Sequence, residues 1–111
     1  MPNKQSVVPK RECSVLHAKH LREFGALISQ LDTSDQSVFH DLTYNAAHFF
    51  GIGPAKIGEL GRADRTTASR WVNGHSYPGK LAAEVIGKRI AAECISMADI
   101  IEKPSTSKSK R

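Results

Sequence analysis

Long hydrophobic runs are missing from this 111-residue chain: no stretch approaches the roughly 18 apolar residues that a membrane span requires. Cysteine is scarce too. Cys13 and Cys94 stand 81 positions apart with no partner spacing around either, which excludes a disulfide-stapled miniprotein and points to reduced thiols in a cytosol. Lys4, Lys10 and Arg11 near the N-terminus are followed by no apolar segment and no small-residue cleavage site, so a signal peptide is not expected. Five-residue alternation of apolar and polar residues is absent, as is any internal repeat, and this argues against strands and solenoids. No Gly-rich phosphate loop, metal-ligand cluster or nucleophile–base pair is visible, so neither an enzyme nor a cofactor is expected. The remaining composition, 40% apolar and 24% charged, is that of an ordinary globular chain of one-domain length, expected to be soluble and cytoplasmic.

The chain does carry an uneven distribution of charge. The net charge is +5, with sixteen Lys and Arg against eleven Asp and Glu. Residues 1–12 contribute +2 and residues 13–53 contribute −2, whereas residues 62–90 carry +4 and the end from Glu102 to Arg111 carries +3. A basic central block and basic ends favour a polyanionic partner.

Apolar spacing predicts an all-α domain over 13–103, between a flexible basic arm (1–12) and a flexible basic tail (104–111). A first helix over roughly 13–31 should bury Leu16, Leu21, Phe24, Leu27, Ile28 and Leu31. A second should hold Val38, Leu42, Ala46, Phe49 and Phe50, and Gly51-Ile52-Gly53 ends it. Pro54 suits the first position of a short helix over 54–61. Asp64 reads as the N-cap of a fourth helix that closes at Asn73-Gly74, where glycine can turn left-handed. After Pro78-Gly79 a longer helix carries Leu81, Val85, Ile86, Ile90, Cys94 and Ile95, and Ser96 with Asp99 resembles a capping box opening a last short turn. The expected architecture is a five- or six-helix bundle.

Residues 54–74 therefore read as two short helices around a tight turn, the pattern of a helix-turn-helix. Such a unit needs a small residue where its helices cross, supplied by Gly58. Its second helix must bury one side and offer the other to the major groove. Ala68 and Trp71 can face the core with Ala63, leaving Arg65, Thr66, Thr67, Ser69, Arg70 and Asn73 outward. The planar fork of Arg matches the two acceptors of the guanine edge, and Thr offers a hydroxyl and a methyl.

The run from Ala63 to Gly74, with Ser69-Arg70-Trp71 followed by Val72-Asn73-Gly74, resembles the recognition helix and C-cap of the lambda-repressor-like (Cro/CI-type) DNA-binding family. Gly53 to Trp71 is most similar to the phage CII-type pattern, including Lys56, Glu59 and Asp64, and the resemblance covers about residues 38–95. It implies a sequence-specific, double-stranded DNA-binding transcriptional regulator of bacterial or phage type, a repressor or an activator, resident at the nucleoid. The implied base contacts are Arg65, Thr66 and Arg70. The implied phosphate contacts are Thr67, Asn73, His75, Ser76 and Lys80. Pro54 stands where the family commonly has a polar phosphate ligand, which moves that contact to Lys56. The family's turn usually has an apolar residue and then Gly, where this chain has Gly61-Arg62: either Arg62 takes the left-handed conformation or the turn shifts by one residue. The implied partners are an operator, a second copy of the chain and RNA polymerase. Leu81–Ile95 and Met97–Ile101 could form the dimer surface or simply the core, and the N-terminal helix could serve either purpose.

Other readings of the same residues compete with this one. Phe49-Phe50-Gly51-Ile52-Gly53-Pro54 resembles the phosphate-holding hairpin of helix-hairpin-helix modules, which bind DNA without reading sequence, although Ile57 stands where those modules have a small residue. A protein-binding adaptor, antitoxin-like, could use the same fold, but would display apolar residues rather than Arg65 and Arg70. His17 and His20 share a helix face with no third ligand, and they read as surface residues.

Overall fold

A computed structural model describes residues 10–102, with side chains from Val15 onward. It comprises five helices and, among the described residues, no strand: α1 (Lys10–Gln30), α2 (Gln36–Phe49), α3 (Pro54–Gly61), α4 (Arg65–Val72) and α5 (Lys80–Glu102). The helix expected from residue 13 opens at Lys10, so residues 10–12 are helical rather than part of an arm. The rest of the expected arm and the expected tail lie outside the described residues. No described helix is long and apolar enough to cross a membrane.

Each helix boundary has a local cause. The Asp35 carboxylate accepts from the Ser37 and Val38 amides at 2.9 and 3.2 Å and caps α2, and these bonds hold its pKa below the usual carboxylate value. Pro54 takes the first turn of α3, where its missing N–H costs nothing. The expected break at Ser96 does not occur: α5 runs unbroken to Glu102. Ala98 there is fully buried, Met97 and Ile101 pack against the core, and Arg22 of α1 clamps Asp99 (2.8 Å) and Glu102. Asp99 serves that inter-helix clamp instead of a capping box.

The most extensive interhelical contact joins α1 to α5. α1 contributes Ala18, Leu21 and Ile28, all buried, while Leu16, Leu27 and Leu31, expected on the same inward face, are exposed. α5 buries Ala83, Ile86, Gly87, Ile90, Ala91, Cys94 and Ala98. Most of the apolar stretch considered as a dimer surface is therefore intramolecular core, with Leu81, Val85, Ile95 and Ile100 left exposed. Phe39, Leu42 and Ala46 of α2 complete the core together with Ile52, Ile57, Ala68, Trp71 and Val72. The one deeply buried hydroxyl of α2, Thr43, donates back to the Phe39 and His40 carbonyls at 3.1 Å each way. Burial pushes the Cys94 thiol up to about 11, so it stays protonated and unreactive near neutral pH.

Candidate nucleic-acid interface

α3 and α4 meet through a turn of three residues whose tightness depends on two glycines. A Cβ on Gly58 would stand 2.7 Å from the Ala63 carbonyl oxygen, so the expected small residue at the crossing is required by backbone proximity. A Cβ on Gly61 would stand 3.0 Å from both the Trp71 ring and Ile86 Cδ1. Gly61 is kept small by that crowding, and the left-handed turn position is residue 62. Arg62 adopts φ 57°, ψ 43°, the first of the two arrangements the sequence left open.

The turn is closed by the Ala63 amide on the Gly58 carbonyl at 2.8 Å, and Arg89 of α5 donates to the Leu60 carbonyl at 2.7 Å. A left-handed conformation is costly for a residue with a Cβ. Arg62→Gly is therefore expected to stabilise the fold by about 0.5–1 kcal/mol, net of the greater chain entropy of glycine. Thermal unfolding checks this: a melting temperature unchanged or lowered would mean that the Arg62 side chain makes contacts that offset its strain.

α4 begins at Asp64, whose carboxylate accepts from the Thr67 amide at 2.8 Å; the Thr67 amide and hydroxyl together hold that carboxyl below its ordinary pKa. At the other end Gly74 (φ 78°) reverses the chain, and the His75 and Ser76 amides both donate to the Arg70 carbonyl, at 2.8 and 3.3 Å. Ala68, Trp71 and Val72 anchor the inner side. Trp71 packs edge-to-face on Phe39, with centroids 6.0 Å apart, and Phe39 packs in the same way on Tyr77 at 5.9 Å. The Tyr77 hydroxyl donates to the Ser34 carbonyl, mooring the segment after α4 to the α1–α2 link.

The outer side of α4 is polar and cationic. Arg65, Thr66, Ser69, Arg70, Asn73 and His75 surround one open depression of about 360 Å³. Neither Arg65 nor Arg70 forms an ion pair with any described residue. Asn73 is held in place by donating to the Ser69 carbonyl at 3.0 Å. Ser69, given no role from sequence, belongs to the rim through its place one turn before Asn73.

The other expected contact residues lie elsewhere. Lys56 points to carboxylates, with Glu59 at 3.4 Å and Glu93 of α5 at 3.7 Å. Thr67 is half-buried and serves the Asp64 cap. Ser76 lines a neighbouring cleft with Gln36, Ser37, His40 and Tyr77. Lys80 is exposed at the start of α5. His40 reaches this region only through tertiary packing, its ring beside Gly74, and no local sequence signal marks it.

No family model, curated protein or solved structure matches this chain. Its function is accordingly argued from the chemistry of the α4 surface.

Proposed function

We propose that α3 and α4 form a helix-turn-helix and that the chain is a sequence-specific, double-stranded DNA-binding transcriptional regulator that reads the major groove with Arg65–Asn73. The observation that carries this is the pair of exposed guanidiniums of Arg65 and Arg70, unpaired with any described carboxylate, on one short, firmly anchored helix. Guanidinium binds phosphate and the guanine edge bidentately, and an apolar-faced adaptor would have no use for two of them. In this reading Arg65, Thr66 and Arg70 touch bases, and Asn73, His75 and Lys80 touch phosphates. Thr67 positions the helix N-terminus, and Lys56 must exchange its carboxylates for phosphate if it takes part. The hairpin reading of Gly51–Pro54 is less well supported, because the Ile52 amide is already spent on the Ala46 carbonyl at 3.0 Å.

Selection of bound sequences from a random duplex pool near physiological salt tests the proposal. The expected product is an inverted or direct repeat with half-sites about ten base pairs apart, as two short helices on successive turns of DNA would require. Arg70→Ala should relax particular base positions at a cost of about 1–3 kcal/mol. Lys80→Ala should instead weaken all sequences alike and lower the salt slope by about one. Enrichment without a motif, together with binding indifferent to Arg70, would overturn the reading.

A further inference from the structure

The outward face of α1 carries two half-exposed leucines, Leu16 and Leu27, with His20 and Glu23 between them, and no other described helix packs over this stripe. α1 meets α5 through Ala18, Leu21, Gly25 and Ile28. Half a turn around the helix, Leu16, His20, Glu23 and Leu27 follow one another at spacings of four, three and four residues. That is the spacing of a seam along which two helices pack. All four residues are exposed, Leu16 at 49% and Leu27 at 52%, and Leu31 continues the stripe. A single exposed leucine is unremarked on any protein surface. Two of them flanking an oppositely charged pair, opposite the buried face, offer a second packing surface.

The order of residues along this seam indicates what covers it. An antiparallel pair of identical helices related by a two-fold axis matches positions whose numbers have a constant sum. Leu16 with Leu27 and His20 with Glu23 share the same sum, 43, so one axis matches apolar to apolar and imidazole to carboxylate at once. Each match then occurs twice. The parallel arrangement would set Glu23 against Glu23 and His20 against His20, which like charges disfavour.

We propose that the outward face of α1 is a homodimer interface in which two copies pair antiparallel, Leu16 on Leu27 and His20 on Glu23 of the second copy. The proposal concerns assembly and stands independently of whether α4 binds DNA. The seam from Leu16 to Leu27 is about 16 Å long at 1.5 Å per residue. So short a contact belongs to the weak class of interfaces, with a dissociation constant on the order of 1–100 μM.

Sedimentation equilibrium of the full chain without DNA, from about 1 to 500 μM, reads this directly. The expected result is a reversible monomer–dimer equilibrium that Leu27→Glu weakens at least about tenfold. Leu81→Glu, on the exposed part of α5, should leave it unchanged. His20→Glu and Glu23→Lys should each weaken the dimer, and the double variant should restore it to near the wild-type constant. These two positions are exposed, so circular dichroism should be the same for all three variants. Restoration with unchanged helicity is the result expected if residue 20 of one copy faces residue 23 of the other; the two positions are also neighbours one turn apart within α1, and comparing helicity separates the two effects. A monomer across the whole range overturns the proposal. So does a dimer that ignores Leu27→Glu, or a double variant no tighter than its weaker parent.

Discussion

Trp71→Ala is expected to remove about 3–5 kcal/mol of stability, the usual cost of emptying a buried aromatic site. Domains of this size have only about 5–15 kcal/mol in total, so the variant should be largely unfolded well below the melting temperature of the parent. The expectation rests on placement. Trp71 is 5% exposed, touches Phe39 edge-on, and stands so close to Gly61 that no Cβ fits between them without a shift. The indole therefore holds α4 against both α2 and the α3–α4 turn. Trp71→Phe should lose far less. Urea unfolding followed by circular dichroism is the right measurement, since Trp71 is the sole tryptophan and its removal abolishes the fluorescence signal. A loss under about 1 kcal/mol would mean that the Asp64 and Gly74 caps hold α4 without its core anchor.

Gly87→Val is expected to cost about 1–3 kcal/mol through overpacking, an opposite mechanism with an effect of similar rank. A Cβ at position 87 would lie 2.7 Å from the Cβ, Cγ2 and Oγ1 of Thr33, itself only 5% exposed. Thr33 sits in the short link between α1 and α2, where its Cβ is fixed by the backbone and no distal rotamer can swing aside. The link must therefore move, and with it the Ser34 carbonyl that receives the Tyr77 hydroxyl. Thr33→Gly should reopen the space, so the two substitutions together should cost less than their sum by more than about 0.5 kcal/mol. Strict additivity in denaturant titrations would show that α5 does not press on that link.

The parts of the fold most legible in the sequence were those fixed by local chemistry. Pro54, Asp64 and Gly74 each act within a turn of where they stand, and α3 and α4 begin and end as these residues dictate. Apolar periodicity placed α1 and α2 and found Leu21, Phe24 and Ile28 on the inward side of α1, but drew that side too wide by including Leu16, Leu27 and Leu31. Close approach to α5 is made by Ala18 and Gly25, whose smallness carries little hydrophobic signal, while the larger Leu16 and Leu27 lie on the opposite face. The false break at Ser96 has a related origin. A capping box and a salt-bridge acceptor use the same Asp99, and only the position of Arg22, 77 residues earlier, decides between them. Within the candidate site, Arg65, Thr66, Arg70 and Asn73 could be gathered from helix geometry alone. The pairing of Lys56 with Glu93 could not, because it depends on how α3 lies on α5.

The largest interface in the domain joins its first helix to its last. On the ribosome, α1 is complete long before any of α5 exists. At roughly 5–20 residues per second, the seventy-odd residues from the end of α1 to the end of α5 take on the order of 4–15 s to synthesise. Until α5 begins to appear, α1 lacks its most extensive partner, and α3 and α4 can meet each other but not α5. The domain is thus obliged to close late, when the buried face of α5 from Ala83 to Ala98 is available to α1. Any truncation that removes the end of α5 should leave a chain with ordered local turns and no native closure between its first and last helices.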